Sequence, residues 1–313
     1  MAGASILKRV AKAGFYKAGG LGMARWMSRK GLRILMYHRF GDRDDLARQC
    51  AHIRAHYAPV SMAQVAAWLE RGDPLPQNAL AVTVDDGYRD FYQVAYPVLG
   101  EYGIPATVYL VSEFLDRKLW LWVDQVRYAF LQGKALPADL GTPLAREQAA
   151  LEMVEAVKRL PNAERLRLLA RLPDQLQTCL PREAPPEYEP LRWDEVREMA
   201  AGGIEFGAHS RTHPVLSRVV GAEELAREIA GSKRQIEQHL DRPVDHFCYP
   251  HGSNEDFGTD AVEAVRSAGF RTAVTTAKGL IYPGANPLRL PRIGVELGLD
   301  WNYFARCAAG FRV

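Results

Sequence analysis

Nothing in this sequence supports a disulfide scaffold or a cysteine-built zinc site. Its four cysteines, Cys50, Cys179, Cys248 and Cys307, are widely spaced, and none forms a C-x-x-C pair. A structural zinc site needs thiolates at short spacing. A chain of 313 residues also buries enough surface to fold without cross-links. The thiols therefore read as reduced and the compartment as cytosolic. Charge of one sign is scarce too: 40 Lys and Arg against 37 Asp and Glu leave a net +3. A nucleic-acid binder clusters basic side chains far more heavily, so no nucleic-acid partner is expected. No apolar run approaches the ~20 residues of a membrane span or supplies a signal-peptide core. Internal repeats and low-complexity tracts are missing as well.

Acidic residues are absent from positions 1–30, which hold seven Lys or Arg among Ile6, Leu7, Val10, Phe15, Leu21, Met23, Trp26 and Met27. This segment reads either as an unstructured leader or as a basic amphipathic stretch. The latter could lie peripherally on the inner face of an anionic membrane. Gly14, Gly19, Gly20 and Gly22 count against one long helix there.

What is present is alternation. Leu32–Tyr37, Ala79–Val84 and Ala106–Val111 are short, nearly all-apolar runs, the pattern of strands buried on both faces of a parallel sheet. Ile204–Ala208, Asp245–Tyr249, Arg271–Thr275 and Arg292–Glu296 continue the series. Helical patterns fill the gaps: a capping box at Ser61–Gln64 opens one helix, and Phe91–Tyr102, Trp193–Ala201, Ala222–Leu240 and Asp260–Ala268 follow. The alternation predicts an α/β fold, either a barrel or an open doubly wound sheet. Residues 113–190 break the rhythm with Trp120, Trp122, Tyr128, Leu-rich helical stretches and the Pro-rich run Pro181–Pro190. They read as a helical insertion and linker between residues 31–112 and 191–313.

Two segments carry chemistry. In Thr83-Val84-Asp85-Asp86-Gly87-Tyr88, two carboxylates follow a buried strand, at the end where α/β barrels keep their reactive groups. Adjacent carboxylates repel and persist best when they share a cation or a proton. The plain alternative is an Asp-Asp-Gly turn. In His209-Ser210-Arg211-Thr212-His213, two imidazoles four apart follow another strand. They can meet one metal if the segment makes a helical turn. His52 and His56 share that spacing but sit within a helical pattern with no strand before them, so they read as helix-face histidines. Ser210 stands where a metalloprotease motif needs Glu. Two histidines and one carboxylate leave open positions on a metal, and the second carboxylate is free to act as base.

Together, T-V-D-D-G-Y and H-S-R-T-H resemble the polysaccharide deacetylases of the NodB-homology type, carbohydrate esterase family 4. Phe91–Tyr109, Tyr249-Pro250-His251-Gly252, Gly269–Ala273 and Leu290–Ile293 extend the resemblance over most of residues 31–112 and 191–297. It implies a distorted (β/α) barrel and a metal-dependent N-deacetylase acting on an N-acetylated glycan such as a polysaccharide, while the cytosolic compartment read above favours a lipid-linked or other cytosolic-side precursor over mature extracellular polymer. Its metal ligands fall on Asp86, His209 and His213, with zinc the expected ion, and its base falls on Asp85. Three departures are visible. The Arg that opens the family's third motif is replaced by Cys248, with Arg292 as substitute partner of the base. His251 replaces that motif's aromatic residue. No late Leu-x-His is found after residue 251, and a resemblance at Met36-Tyr37-His38 to members that supply the acid from the first strand puts the general acid on His38, the plain alternative being a buried, hydrogen-bonded histidine. Tyr88, Tyr249 and His251 are expected against substrate, with a backbone N–H near Tyr249–His251 at the oxyanion. Trp120, Trp122 and Trp301 could stack on sugar rings, although core packing is the commoner use. Two other readings stand beside this one. One is an inactive glycan-binding domain on the same fold. The other is a different metal hydrolase, for which no second ligand cluster is found.

Overall fold

The computed structural model describes residues 19–310 apart from Leu136, Ala138, Asp139 and Leu299. Of the basic segment 1–30, residues 1–18 therefore lie outside the described part. Seven parallel strands close on themselves: β1 (Arg33–Tyr37), β3 (Ala79–Val84), β4 (Ala106–Leu110), β5 (Glu205–Ala208), β6 (His246–Cys248), β7 (Thr272–Lys278) and β8 (Leu290–Gly294). Closure is made by β1, which pairs with β3 on one side and β8 on the other. A two-residue strand not expected from the sequence, β2 (Ala58–Pro59), pairs with the start of β3. Helices pack around this distorted (β/α) barrel.

Strand parity decides what faces inward. Successive side chains alternate between faces. Val82 and Val84 pack outward into the main core with the helices, whereas Ala81 joins an inner cluster with Ile34, Tyr109, Cys248, Val274 and Leu290. Thr83 shares the inner face, and so does Asp85, two residues on. Met62 and Val65, from the helix Met62–Arg71, join the inner cluster at the N-terminal end of the barrel. That helix opens on the expected capping box: Ser61 Oγ accepts from Gln64 N, and Gln64 Oε1 accepts from Ser61 N. The other end, where the strands finish, is left for polar groups.

Two local expectations change. The span Phe91–Tyr102 begins as a π-turn, Phe91–Ala95, and only then becomes the α-helix Tyr96–Glu101. Pro97 has no N–H to give the carbonyl of residue 93, so the ladder shifts and Tyr96 N donates to Phe91 O. The last strand starts at Leu290 and ends at Gly294, two residues earlier than its apolar pattern indicates. Residues 113–190 supply three longer helices, Trp122–Gln132, Pro143–Lys158 and Asn162–Gln175, which share a small apolar cluster. No helix among the described residues is long and apolar enough to cross a membrane.

Candidate metal and catalytic centre

The Asp-Asp-Gly turn breaks the strand sharply. Asp86 has φ 74° and Gly87 φ 86°, two consecutive left-handed residues. That conformation costs a non-glycine residue on the order of 1 kcal/mol. Asp85 is thereby left on the barrel's inner face while the next carboxylate turns toward the segment following β5.

Asp85 is 2% exposed and is gripped by Arg292 from β8. Arg292 Nη1 donates to Oδ1 at 2.7 Å and Nη2 to Oδ2 at 2.7 Å. The guanidinium is itself held: Nε donates to Thr275 O at 2.9 Å and Nη1 to Thr83 Oγ1 at 3.2 Å. Its Nη2 lies 3.2 Å from Cys248 Sγ. Cys248 occupies the inner face of β6, and its small side chain leaves room for an arginine arriving from β8. Burial works to raise the Asp85 pKa, but the charge and paired hydrogen bonds of Arg292 outweigh it and hold the carboxyl well below the usual range. His38, at the end of β1, brings Nε2 to 3.7 Å from Asp85 Oδ2 with its side chain 44% exposed. Crowding at this rim lowers the His38 pKa, and Asp85 opposes that drop. A cleft of about 410 Å³ opens beside His38, lined also by Arg39, Asp42, Val295 and Glu296.

Asp86 meets the two histidines. Its Oδ1 lies 3.5 Å from His209 Nε2 and 3.4 Å from His213 Nε2. All three residues are buried. The histidines do not meet through a helical turn. Ser210 has φ 64° and His213 φ 57°, so the chain bends back on itself as a loop. Glu228 clamps that loop, accepting from Arg211 N, Thr212 N and Thr212 Oγ1. Ser210 Oγ accepts from His213 N at 3.0 Å.

This trio fits a cation. His209 Nδ1 sits 2.7 Å from the Cys248 carbonyl, which can only accept. The proton is therefore on Nδ1, and Nε2 presents its lone pair toward Asp86. Burial pushes the His209 pKa down to about 4, and burial followed by His251 pushes that of His213 well below normal. Both rings are neutral, as ligands must be. The Asp86 carboxylate accepts no hydrogen bond among the described residues. Burial first, then Asp85 and Asp124, drive its pKa well up in the absence of a cation. Donor atoms about 2.0–2.1 Å from one tetrahedral ion lie about 3.3 Å apart, close to the spacing seen here.

The remaining expected residues fall in two groups. His251 lies at the centre, its ring 4.7 Å from that of His213, with φ 60° and a buried Nε2 that has no hydrogen-bond partner among the described residues. Its backbone N–H makes no hydrogen bond among the described residues, whereas that of Tyr249 is taken by Val274 O. The Tyr249 and Tyr88 side chains are packed away. Tyr249 stacks on Phe257 and donates to Leu288 O, and Tyr88 donates to Asp124 Oδ2 at 2.7 Å. Trp120 and Trp122 are buried, and Trp301 packs against the core beside His52. Sequence reasoning missed Glu228, Trp122 as a partner of the histidine loop, and Asp124. No local motif announces them.

The polysaccharide deacetylase family profile matches residues 72–273. YxkH of Bacillus subtilis (strain 168), named for the polysaccharide deacetylases, is 30% identical over 281 residues, covering 87% of this chain and 74% of that protein. The poly-β-1,6-N-acetyl-D-glucosamine N-deacetylase of Escherichia coli (strain K12) is 39% identical over 72 residues, 23% of this chain and 11% of that protein. Among solved structures, IcaB from Ammonifex degensii superposes with a TM-score of 0.59 at 20% identity, covering 90% of this chain and 98% of that one. The Streptococcus pyogenes deacetylase PplD, in complex with acetate, gives 0.57 at 18% identity over 85% and 92% of the two chains. At such identities these two show a shared fold.

Proposed function

The chain belongs to the polysaccharide deacetylase family, and from that premise we propose that it hydrolyses the N-acetyl amide of a sugar within a glycan. The observation that carries the proposal is the juxtaposition of two differently tuned carboxylates. Asp85 is kept ionised by Arg292, while Asp86 faces two neutral imidazoles. Pairs of acids pushed in opposite directions mark a division of labour.

Asp86, His209 and His213 would hold a divalent cation, zinc by the character of the donors. When bound, it supplies Lewis-acid polarisation of the acetyl carbonyl. The chain's own groups do the rest. Asp85 accepts a proton from the attacking water, and Arg292 fixes both of its oxygens so that the base keeps one orientation. The His251 N–H, which makes no hydrogen bond among the described residues, would donate to the carbonyl oxygen as negative charge develops. His38, at the rim, gives its proton to the departing amine. The cleft beside His38 would receive the sugar that carries that amine.

Residues 20–30 suggest where this occurs. Helix Gly20–Met27 leaves Met23 58%, Trp26 59% and Met27 72% exposed. Arg29 sets its guanidinium 4.5 Å from the Trp26 ring centroid, and exposed Lys30 follows in sequence. Apolar anchors beside cations suit an anionic lipid surface. The Arg29 carbonyl accepts from Asn78 N, just ahead of β3, so this helix lies at the N-terminal end of the barrel, opposite Asp85. Docked there, the enzyme would turn its site away from the lipid, toward an extended glycan.

The test is acetate release from N-acetylglucosamine oligomers, run with metal analysis of wild type and His213→Ala. Expected are about one zinc per chain, lost in the variant, and acetate formed by the wild type alone. Glycan binding with no acetate would support the inactive domain. Absence of metal after zinc is added back would refute the mechanism.

A further inference from the structure

The insertion reaches the metal site through one helical turn. Trp122 and Asp124 open the helix Trp122–Gln132, and both are buried, at 3% and 7% exposure. A buried indole N–H has one proton to place. Trp122 Nε1 donates it to the carbonyl of His213 at 2.9 Å. Two residues on, Asp124 Oδ2 accepts from Tyr88 OH at 2.7 Å. Tyr88 follows the strained pair Asp86–Gly87, and the Arg39 guanidinium covers its ring at 4.1 Å. One turn thus holds both segments that bear the candidate ligands.

We propose that Trp122 and Asp124 are positioning residues that fix the His213 and Asp86 segments in metal-binding geometry. The inference rests on the metal reading above. Three further observations support it. His213 has φ 57°, a conformation that persists only where surroundings enforce it, and the Trp122 bond falls on that same residue's carbonyl. Among the described residues, His213 Nδ1 is buried with no hydrogen-bond partner, so it lacks there the ring-to-acceptor bond that normally orients a metal-bound imidazole. His209 has that bond, to Cys248 O. Backbone anchoring by Trp122 supplies for His213 what the carbonyl supplies for His209. The indole also packs against His251 with ring centroids 5.6 Å apart, and His251 backs the His213 ring at 4.7 Å. On the indole's other contact, Arg165 of the insertion places its guanidinium 5.4 Å from the ring centroid, tying Trp122 to helix Asn162–Gln175.

A helix that merely filled space would be served as well by phenylalanine at position 122. Trp122→Phe keeps an aromatic ring and removes the donor, while Tyr88→Phe removes the donor to Asp124. Phe130→Leu is the control, since it loosens the same apolar cluster without touching either ligand segment. Zinc affinity is read by chelator competition on the full chain, and site geometry by the visible spectrum of the cobalt-substituted protein. Loss of an outer partner of a metal ligand typically weakens metal binding about 10–100-fold. We expect a loss of at least about tenfold in Trp122→Phe, a smaller one in Tyr88→Phe, altered cobalt bands in both, and wild-type behaviour in Phe130→Leu. Should Trp122→Phe fail to fold, Tyr88→Phe decides. Wild-type affinity and spectrum in both variants, or an equal loss in Phe130→Leu, overturns the proposal. A wild type that takes up neither metal overturns the metal reading itself and is recognised by the wild-type measurement alone.

Discussion

Arg292→Met is the most revealing single change, because it isolates the Asp85 ion pair from the fold that carries it. The substitution retains an unbranched apolar stem and removes both hydrogen bonds to Asp85, whose side chain is only 3% exposed. Stripping one partner from a buried ion pair costs about 3–5 kcal/mol, because the other charge stays buried without compensation. At an unfolding entropy of about 2.1 cal/mol/K per residue, the 313 residues give about 0.7 kcal/mol/K, so the thermal midpoint should fall by about 5–8 °C. The sign with pH follows from Asp85. In the wild type its pKa lies below the ordinary value of 3.8, so the pair's stabilisation is present above that pH and is lost as pH falls below it. In the variant burial outweighs the smaller pull of His209 and His38 and the pKa rises, so the destabilisation is largest at neutral pH and shrinks toward pH 4. The double variant Asp85→Asn/Arg292→Met should recover more than about 2 kcal/mol relative to additive single changes. Unfolding curves of the metal-free protein at pH 7 and pH 4.5 test this. A cost below about 1 kcal/mol, or costs that simply add, would show that the pair does not hold the base in place.

Asp85→Asn should lower the rate of acetate release by about 10²–10⁴-fold, the usual weight of a general base, with bound metal retained. Parallel turnover and metal assays check it, and full activity would remove Asp85 from that role. His52 lies against Trp301 and Phe304, its Nε2 without a partner among the described residues, and burial, then His56, draws its pKa down to about 4. Because that is a depressed histidine, the stability it permits is present above about 6.5 and is lost as pH falls from there toward 4. His52→Leu should flatten the decline in thermal midpoint over that window, and an unchanged slope would count against the assignment. Vesicles with anionic lipid should retain the full chain at low salt and release it as salt rises, with binding lost in Met23→Ser/Trp26→Ser/Met27→Ser. Equal binding to uncharged vesicles, or none to charged ones, would end the proposal for this helix.

Local features of the fold were legible wherever one segment carried its own signal. Ala79–Val84 announces a buried strand, and the carboxylates at its end follow from strand parity, since Ala81, Thr83 and Asp85 share a face. The histidine pair was legible as a pair, but its geometry was not. A four-residue spacing suggests a helical turn, and the actual bend depends on Glu228, some 15 residues downstream, which accepts from two consecutive amides of the loop. The insertion shows the same limit more sharply. Its tryptophans and leucines read as a separate helical unit, because hydrophobic periodicity reports that a face is buried and not what it is buried against. Trp122 and His213 are 91 positions apart, and only the folded chain brings the indole N–H to that carbonyl. Arg292 lies between these cases. It was singled out because the family's arginine is replaced by Cys248, and in the fold its guanidinium donates to both oxygens of Asp85. Cys248 on β6 and Arg292 on β8 meet beside Asp85, with Nη2 3.2 Å from Sγ. The guanidinium then needs its own scaffold, and Thr275 and Thr83 provide it. A guanidinium arriving from β8 can therefore pair with a carboxylate at the end of β3, provided the residues around it hold it there.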